Sequence, residues 1–115
     1  EFMPRQELYN PDLEILSSLS PKEFSDLFKG SPIKRTKRRG LLRNVLLAMG
    51  NSENQAFVPH ILDRLKDEEP LIRAHAAWAL WKLTGDNCEE ILTKHQRTET
   101  DDLVSQEIDA ILNSI

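Results

Sequence analysis

Six cationic side chains fall within ten residues of this chain: Lys34, Arg35, Lys37, Arg38, Arg39 and Arg43. From Phe28 to Asn51 there are seven Lys or Arg residues and no Asp or Glu. The rest of the chain holds eight basic and nineteen acidic side chains, so a segment of +7 sits in a background of −11, and the net is −4. Cations gathered on one segment of an acidic protein focus their field outward, and the chemistry open to them is to grip a polyanion. A solvated Lys/Arg-rich helix start with no ligand is the plain alternative. The complete absence of acids from the segment favours a ligand.

No other set of residues offers chemistry of comparable weight. His60, His75 and His95 stand fifteen and twenty residues apart, and none pairs with Cys88 at a metal-ligand spacing. His75 reads as a hydrogen-bonded core or groove residue, and Cys88 as a small buried apolar one. A single cysteine excludes an internal disulfide and any iron–sulfur cysteine series, and fits a reducing cytosol. Glu89 with Glu90, and Asp101 with Asp102, are neighbours in sequence. On a helix the members of each pair face different ways, so they read as surface and helix-start charges rather than acid/base pairs. Trp78 and Trp81 could stack on bases, but their helical spacing favours core packing. No catalytic centre and no metal site is expected in this chain.

The elements that must carry the cations are helices. At 115 residues one domain is expected, with 1–9 poorly ordered, Glu1-Phe2-Met3 resembling a cloning remnant, and 10–115 forming the folded unit. Asn10-Pro11 opens a first short helix with Leu13, Leu16 and Leu19 on its apolar stripe. Ser20-Pro21-Lys22-Glu23 is a capping box for a second, which gathers Phe24, Leu27 and Phe28 and ends at Gly30. A third is predicted from about Thr36 to Met49, with Leu41, Leu42, Val45, Leu46 and Met49 on one arc and Gly50-Asn51 as its stop. Arg35, Arg39 and Arg43 form an i, i+4, i+8 row along the edge of that arc. Arg38 points toward its middle, where an unpaired guanidinium would be costly. The expectation is that the first turn overhangs the core and leaves Lys34 to Arg39 free for a partner.

Downstream, Phe57, Val58, Ile61, Leu62 and Leu65 mark a helix with Pro59 in its first turn. Lys66-Asp67-Glu68-Glu69 reads as a polar turn. Leu71 to Leu83 is apolar almost all round, with four alanines, so it belongs in the middle of a stack. Gly85 ends it; Cys88, Ile91 and Leu92 lie on a short helix; Leu103, Val104, Ile108, Ile111 and Leu112 lie on the last. No stretch alternates as a strand does, no apolar run is long enough to span a membrane, and the polar N-terminus shows no signal peptide. A cytoplasmic protein is expected.

Leu42-Arg43 and Ile72-Arg73 each open an apolar helix thirty residues apart, and Asp102-Leu103-Val104 opens a third at a similar interval. Helix pairs at this period predict an all-α fold, a short right-handed α-solenoid of HEAT-like repeats. Such folds bind along one face.

The blocks Phe28-Lys29-Gly30-Ser31-Pro32-Ile33-Lys34-Arg35, Arg39-Gly40-Leu41-Leu42-Arg43-Asn44, Ala48-Met49-Gly50-Asn51 and Ile72-Arg73-Ala74-His75-Ala76-Ala77-Trp78-Ala79-Leu80 resemble the C-terminal region of epoxyqueuosine reductase. The resemblance runs from about residue 10 to 113. It implies a role in queuosine biosynthesis, where the complete enzyme reduces epoxyqueuosine at the wobble position of certain tRNAs. It also implies cobalamin and two [4Fe–4S] clusters, held by N-terminal domains with no counterpart here. The implied partners of this region are the tRNA anticodon arm and the catalytic domain. Carried onto this sequence, the nucleic-acid-binding candidates are Lys34, Arg35, Lys37, Arg38, Arg39, Arg43 and Asn44, with Arg73 behind them. The equivalent of Arg73 in HEAT-like repeats often braces neighbouring helices instead. The rival expectation is a protein-interaction scaffold whose basic segment docks an acidic partner.

Overall fold

The structure, a computed structural model, describes residues 13–27 and 35–115. Those residues are all-helical, with no strand among them. Helix α1 covers residues 13–17, α2 Pro21–Leu27, α3 Arg35–Gly50, α4 Val58–Arg64, α5 Pro70–Thr84, α6 Glu89–Gln96 and α7 Asp102–Asn113. Single 3₁₀ turns, Gln55–Phe57 and Gly85–Cys88, lead into α4 and α6.

Local chemistry sets each boundary. The capping box at α2 forms in both directions: the Ser20 N–H donates to Glu23 Oε1 at 2.9 Å, and the Glu23 N–H donates to Ser20 Oγ at 3.0 Å. Pro59 and Pro70 occupy first-turn positions of α4 and α5, where a missing N–H leaves no bond unmade. Asp101 caps α7 by accepting from the N–H groups of Leu103 and Val104. Gly85 ends α5 at φ 60°, a conformation that L side chains rarely adopt.

Helix α5 lies at the centre and packs against α3, α4 and α7. Its Ile72, Ala76, Ala77, Ala79 and Leu80 are fully buried, as an all-round apolar helix must be. They meet Leu42, Leu46 and Met49 of α3, Phe57 and Ile61 at α4, Leu92 of α6, and Val104 and Ile108 of α7 in one core. The alanines let the helices close up. At Gly50 the approach is closer still, since an added Cβ would lie 2.6 Å from Trp78 Cζ3. Gly50, expected to stop α3, is its last helical residue, and it matters for packing. Trp78 and Trp81 pack against the core, and Cys88 is fully buried, which pushes its thiol pKa up. Leu103, expected on the apolar stripe of α7, is 72% exposed, because the buried line of that helix begins at Val104. Among the described residues no helix is long and apolar enough to cross a membrane.

Candidate nucleic-acid interface

The basic segment divides into an inner set and an outer set. Arg38 stands four residues before Leu42 and seven before Val45, both buried, so its side chain must point inward. It is 1% exposed. Burial of a guanidinium is tolerable only with full pairing, and Arg38 has it. Its Nη2 and Nη1 donate to Asp67 Oδ1 and Oδ2 at 2.6 and 3.3 Å, Nη1 lies 3.5 Å from Glu69 Oε2, and Nε donates to the Leu19 carbonyl at 2.9 Å. One side chain thus ties the end of α1 to α3 and to the α4–α5 loop. The expectation that Arg38 overhangs the core as a free cation is corrected: it is a structural brace.

Arg39, one position round the helix, donates Nε to Glu69 Oε1 at 2.6 Å and remains 38% exposed. It too is held by a carboxylate of this chain. Lys37 and Arg43 are exposed, and among the described residues neither faces an acidic partner. Arg43 Nη2 donates only a long 3.4 Å bond to Asn44 Oδ1, and Asn44 is exposed beside it. Arg35 begins α3, but its side chain and all of Lys34 lie outside the described residues, as do the expected helix cap at Asn10 and the end of α2 at Gly30. The structure therefore brings Lys37, Arg43 and Asn44 to the outer surface of α3, with Arg39 half engaged.

Arg73 is not on that surface. Its Nε and Nη2 donate to Glu99 Oε1 and Oε2 at 3.0 and 2.8 Å, and its Nη1 donates to the Asp67 carbonyl at 2.8 Å. The bracing reading of Arg73 is the one the geometry supports, and its expected place among the nucleic-acid-binding residues is corrected.

Two acidic residues that read as polar turn, Asp67 and Glu69, are buried. With Glu99 they are the functional residues the sequence reading missed. Asp67 accepts from Arg38, from Arg64 Nη1 at 2.9 Å and from the Glu69 N–H at 3.0 Å. Burial alone would raise its pKa; the Arg38 hydrogen bond and the Glu69 N–H outweigh that and hold the carboxyl below its ordinary value. Glu99 has the same kind of surroundings: Arg73, His95 Nε2 at 2.7 Å and the Asp101 N–H at 3.0 Å. There too burial pushes upward and is overcome, chiefly by Arg73, so the pKa is lowered to about 2. A signal was present in the sequence: an acid two residues before a helix N-cap, Asp67 before Glu69 and Glu99 before Asp101.

A [4Fe–4S] cluster needs several thiolates, and the chain has one cysteine, buried in the core. No group of three or more His, Cys, Asp or Glu residues able to hold a metal occurs among the described residues. The donor set does not fit a cluster.

No family model matches the sequence. Among curated proteins, epoxyqueuosine reductase of Listeria monocytogenes is 32% identical over 114 residues, covering 98% of this chain and 30% of the relative. That of Salmonella typhimurium is 40% identical over 80 residues, covering 70% of this chain and 21% of the relative. The chain thus spans less than a third of the length of the relatives it matches. Among solved structures, a crystal structure of epoxyqueuosine reductase with an epoxyqueuosine-modified tRNA-Tyr stem loop superposes with a TM-score of 0.74 at 27% identity, over 88% of this chain and 27% of that one. The Bacillus subtilis epoxyqueuosine reductase superposes with a TM-score of 0.73 over the same shares. Sequence and fold agree, and this chain is similar to the C-terminal part of the epoxyqueuosine reductases.

Proposed function

We propose that this chain is a non-catalytic RNA-binding module that holds the anticodon arm of a tRNA through the outer face of α3. The observation that carries the reading is the pair of exposed cations Lys37 and Arg43, without carboxylate partners among the described residues, in a segment that contains no acid at all. Arg39, and Lys34 and Arg35 ahead of it, complete the candidate set; Arg38 and Arg73 leave it. The tRNA stem loop bound to the structural neighbour supports the same partner. Acting within an epoxyqueuosine reductase-like oxidoreductase, the module would serve queuosine biosynthesis in the cytoplasm. Catalysis, cobalamin and the two [4Fe–4S] clusters would then belong to a separate catalytic domain, which would be its second partner.

The frame we propose for that face is a short HEAT-like solenoid. Supporting it, Arg64 and Asp67 are matched 31 and 32 residues later by His95 and Glu99, with Arg38 and Arg73 as the bracing guanidiniums. Each knot seals the loop ahead of a long helix. Such a repeat keeps α3 rigid while its outer side chains stay free.

Phosphate contacts by about five cations would make log affinity fall against log salt with a slope of about −3 to −5. They position the strand without choosing a base. The test is titration of a labelled anticodon stem-loop at low and moderate salt, with Arg39→Ala plus Arg43→Ala as the variant. Binding should weaken and the slope should flatten; affinity and slope both unchanged would remove α3 from the interface.

A further inference from the structure

A second feature lies away from the outer face of α3. Between the ends of α4 and α6 runs a groove of about 700 Å³, a size that suits a small ligand or a few side chains. Leu62 and Leu65 lie along its apolar part, and Ile91, 38% exposed, stands at its side. Lys66 and Lys94 are both exposed, and among the described residues neither has an acidic partner. The groove also contains acids, Asp67 and Glu99, whose side chains are 3% and 1% exposed. Asp67 is already satisfied by two guanidinium groups and a backbone N–H, and Glu99 by Arg73, His95 and a backbone N–H. They therefore offer no free charge to an occupant, and the field over the apolar floor comes from the two lysines.

From this combination we infer that the groove docks a short peptide segment of a protein partner, one that carries acidic residues beside apolar ones. The apolar side chains would seat on Leu62, Leu65 and Ile91, and the carboxylates would meet Lys66 and Lys94. The two lysines call for an anionic occupant, and the apolar floor beside them selects an acidic peptide over a nucleic acid strand. The groove has no Phe, Tyr or Trp side chain on which a base could stack, its one imidazole, His95, is held by Glu99, and an apolar floor is of little use to a phosphate chain. The site is distinct from the α3 surface, so it stands or falls independently of the RNA reading.

The test uses the whole chain and a short fluorescent peptide alternating glutamate with leucine, followed by polarisation. Two control peptides replace the glutamates with lysine or the leucines with serine. The alternating peptide should bind at least about tenfold more tightly than either control. Lys66→Glu with Lys94→Glu should abolish that preference, and Ile91→Ser should weaken binding several-fold. Both sets of changes are at exposed positions, so thermal unfolding should stay where it is, and stem-loop affinity should not change. Equal binding of all three peptides, or of none, overturns the proposal. So does a stem-loop that displaces the peptide and loses affinity in the double-lysine variant, which would make the groove part of the RNA surface. Loss of stem-loop binding in the α3 variants alone would concern only the RNA reading.

Discussion

Helices α3 and α5 carry the same short signature, Leu42-Arg43 in the middle of α3 and Ile72-Arg73 in the first turn of α5, yet the two arginines have opposite fates. Arg73 is sealed between Glu99 and the Asp67 carbonyl. Arg43 faces solvent with nothing stronger than a 3.4 Å bond to its neighbour Asn44. On α3 the bracing task has passed to Arg38, one turn earlier, which takes Asp67. The difference teaches that a cation's role here is decided by where the nearest loop carboxylate falls, and among the described residues none falls beside Lys37 or Arg43. Those two remain for a ligand.

The largest effect expected from disturbing this contrast is at Asp67. Asp67→Asn takes from Arg38 its nearest carboxylate at a site 1% exposed, leaving it Glu69 and the Leu19 carbonyl, and also weakens the hold on Arg64, so urea unfolding should show a loss of about 3 kcal/mol. Arg38→Met should cost less, because Asp67 keeps Arg64 and the Glu69 N–H while the new side chain fills the apolar line of α3. If the two losses were equal, the ordering of partners around Asp67 would be wrong. Next comes Arg73→Met, which removes charge-assisted hydrogen bonds from a site 14% exposed; about 1.5–3 kcal/mol is expected. Glu99 keeps His95 and the Asp101 N–H, so the knot is weakened without being emptied.

Acid sharpens the same point. Glu99 is depressed in the folded chain, to about 2 from an ordinary 4.5, and Asp67 is also lowered. A carboxylate with a depressed folded pKa contributes stability that is complete above its unfolded pKa and disappears as pH falls through the folded one. Thermal melts should therefore hold steady above about 4.5 and decline from there toward about 2. Arg73→Met should shrink that decline, since it removes the chief partner that depresses Glu99.

Much of this was legible in the sequence, and the reasons are local. The capping box at Ser20 and Glu23, the first-turn prolines 59 and 70, Gly85 and the buried Ala/Trp helix all act through neighbours within a few residues. The warning about Arg38 was legible too, because helical phase alone aims it at the core. Its answer was not: Asp67 is twenty-nine residues away, and nothing local says that Lys66-Asp67-Glu68-Glu69 turns inward. Gly50 read as a helix stop for the same reason, since its closeness to Trp78 exists only once α3 and α5 are docked. Charge counting located the basic segment, but sorting its members required the loop acids to be in place.

The smallest effect on stability, and the most telling, belongs to Arg43. Exposed and without an acidic partner among the described residues, it should tolerate Arg43→Ala with a change within about 0.5 kcal/mol. The helix should barely notice, because alanine is the better helix former. Stem-loop affinity should nevertheless fall, and the salt slope should lose about one unit, as expected when a single phosphate contact is deleted. Arg73→Met should do the reverse, costing stability while leaving the slope of the folded fraction as it was. A variant pair that behaved alike in both measurements would mean that the two arginines share one role after all, and the division of α3 into an inner, braced set and an outer, available set would have to be abandoned.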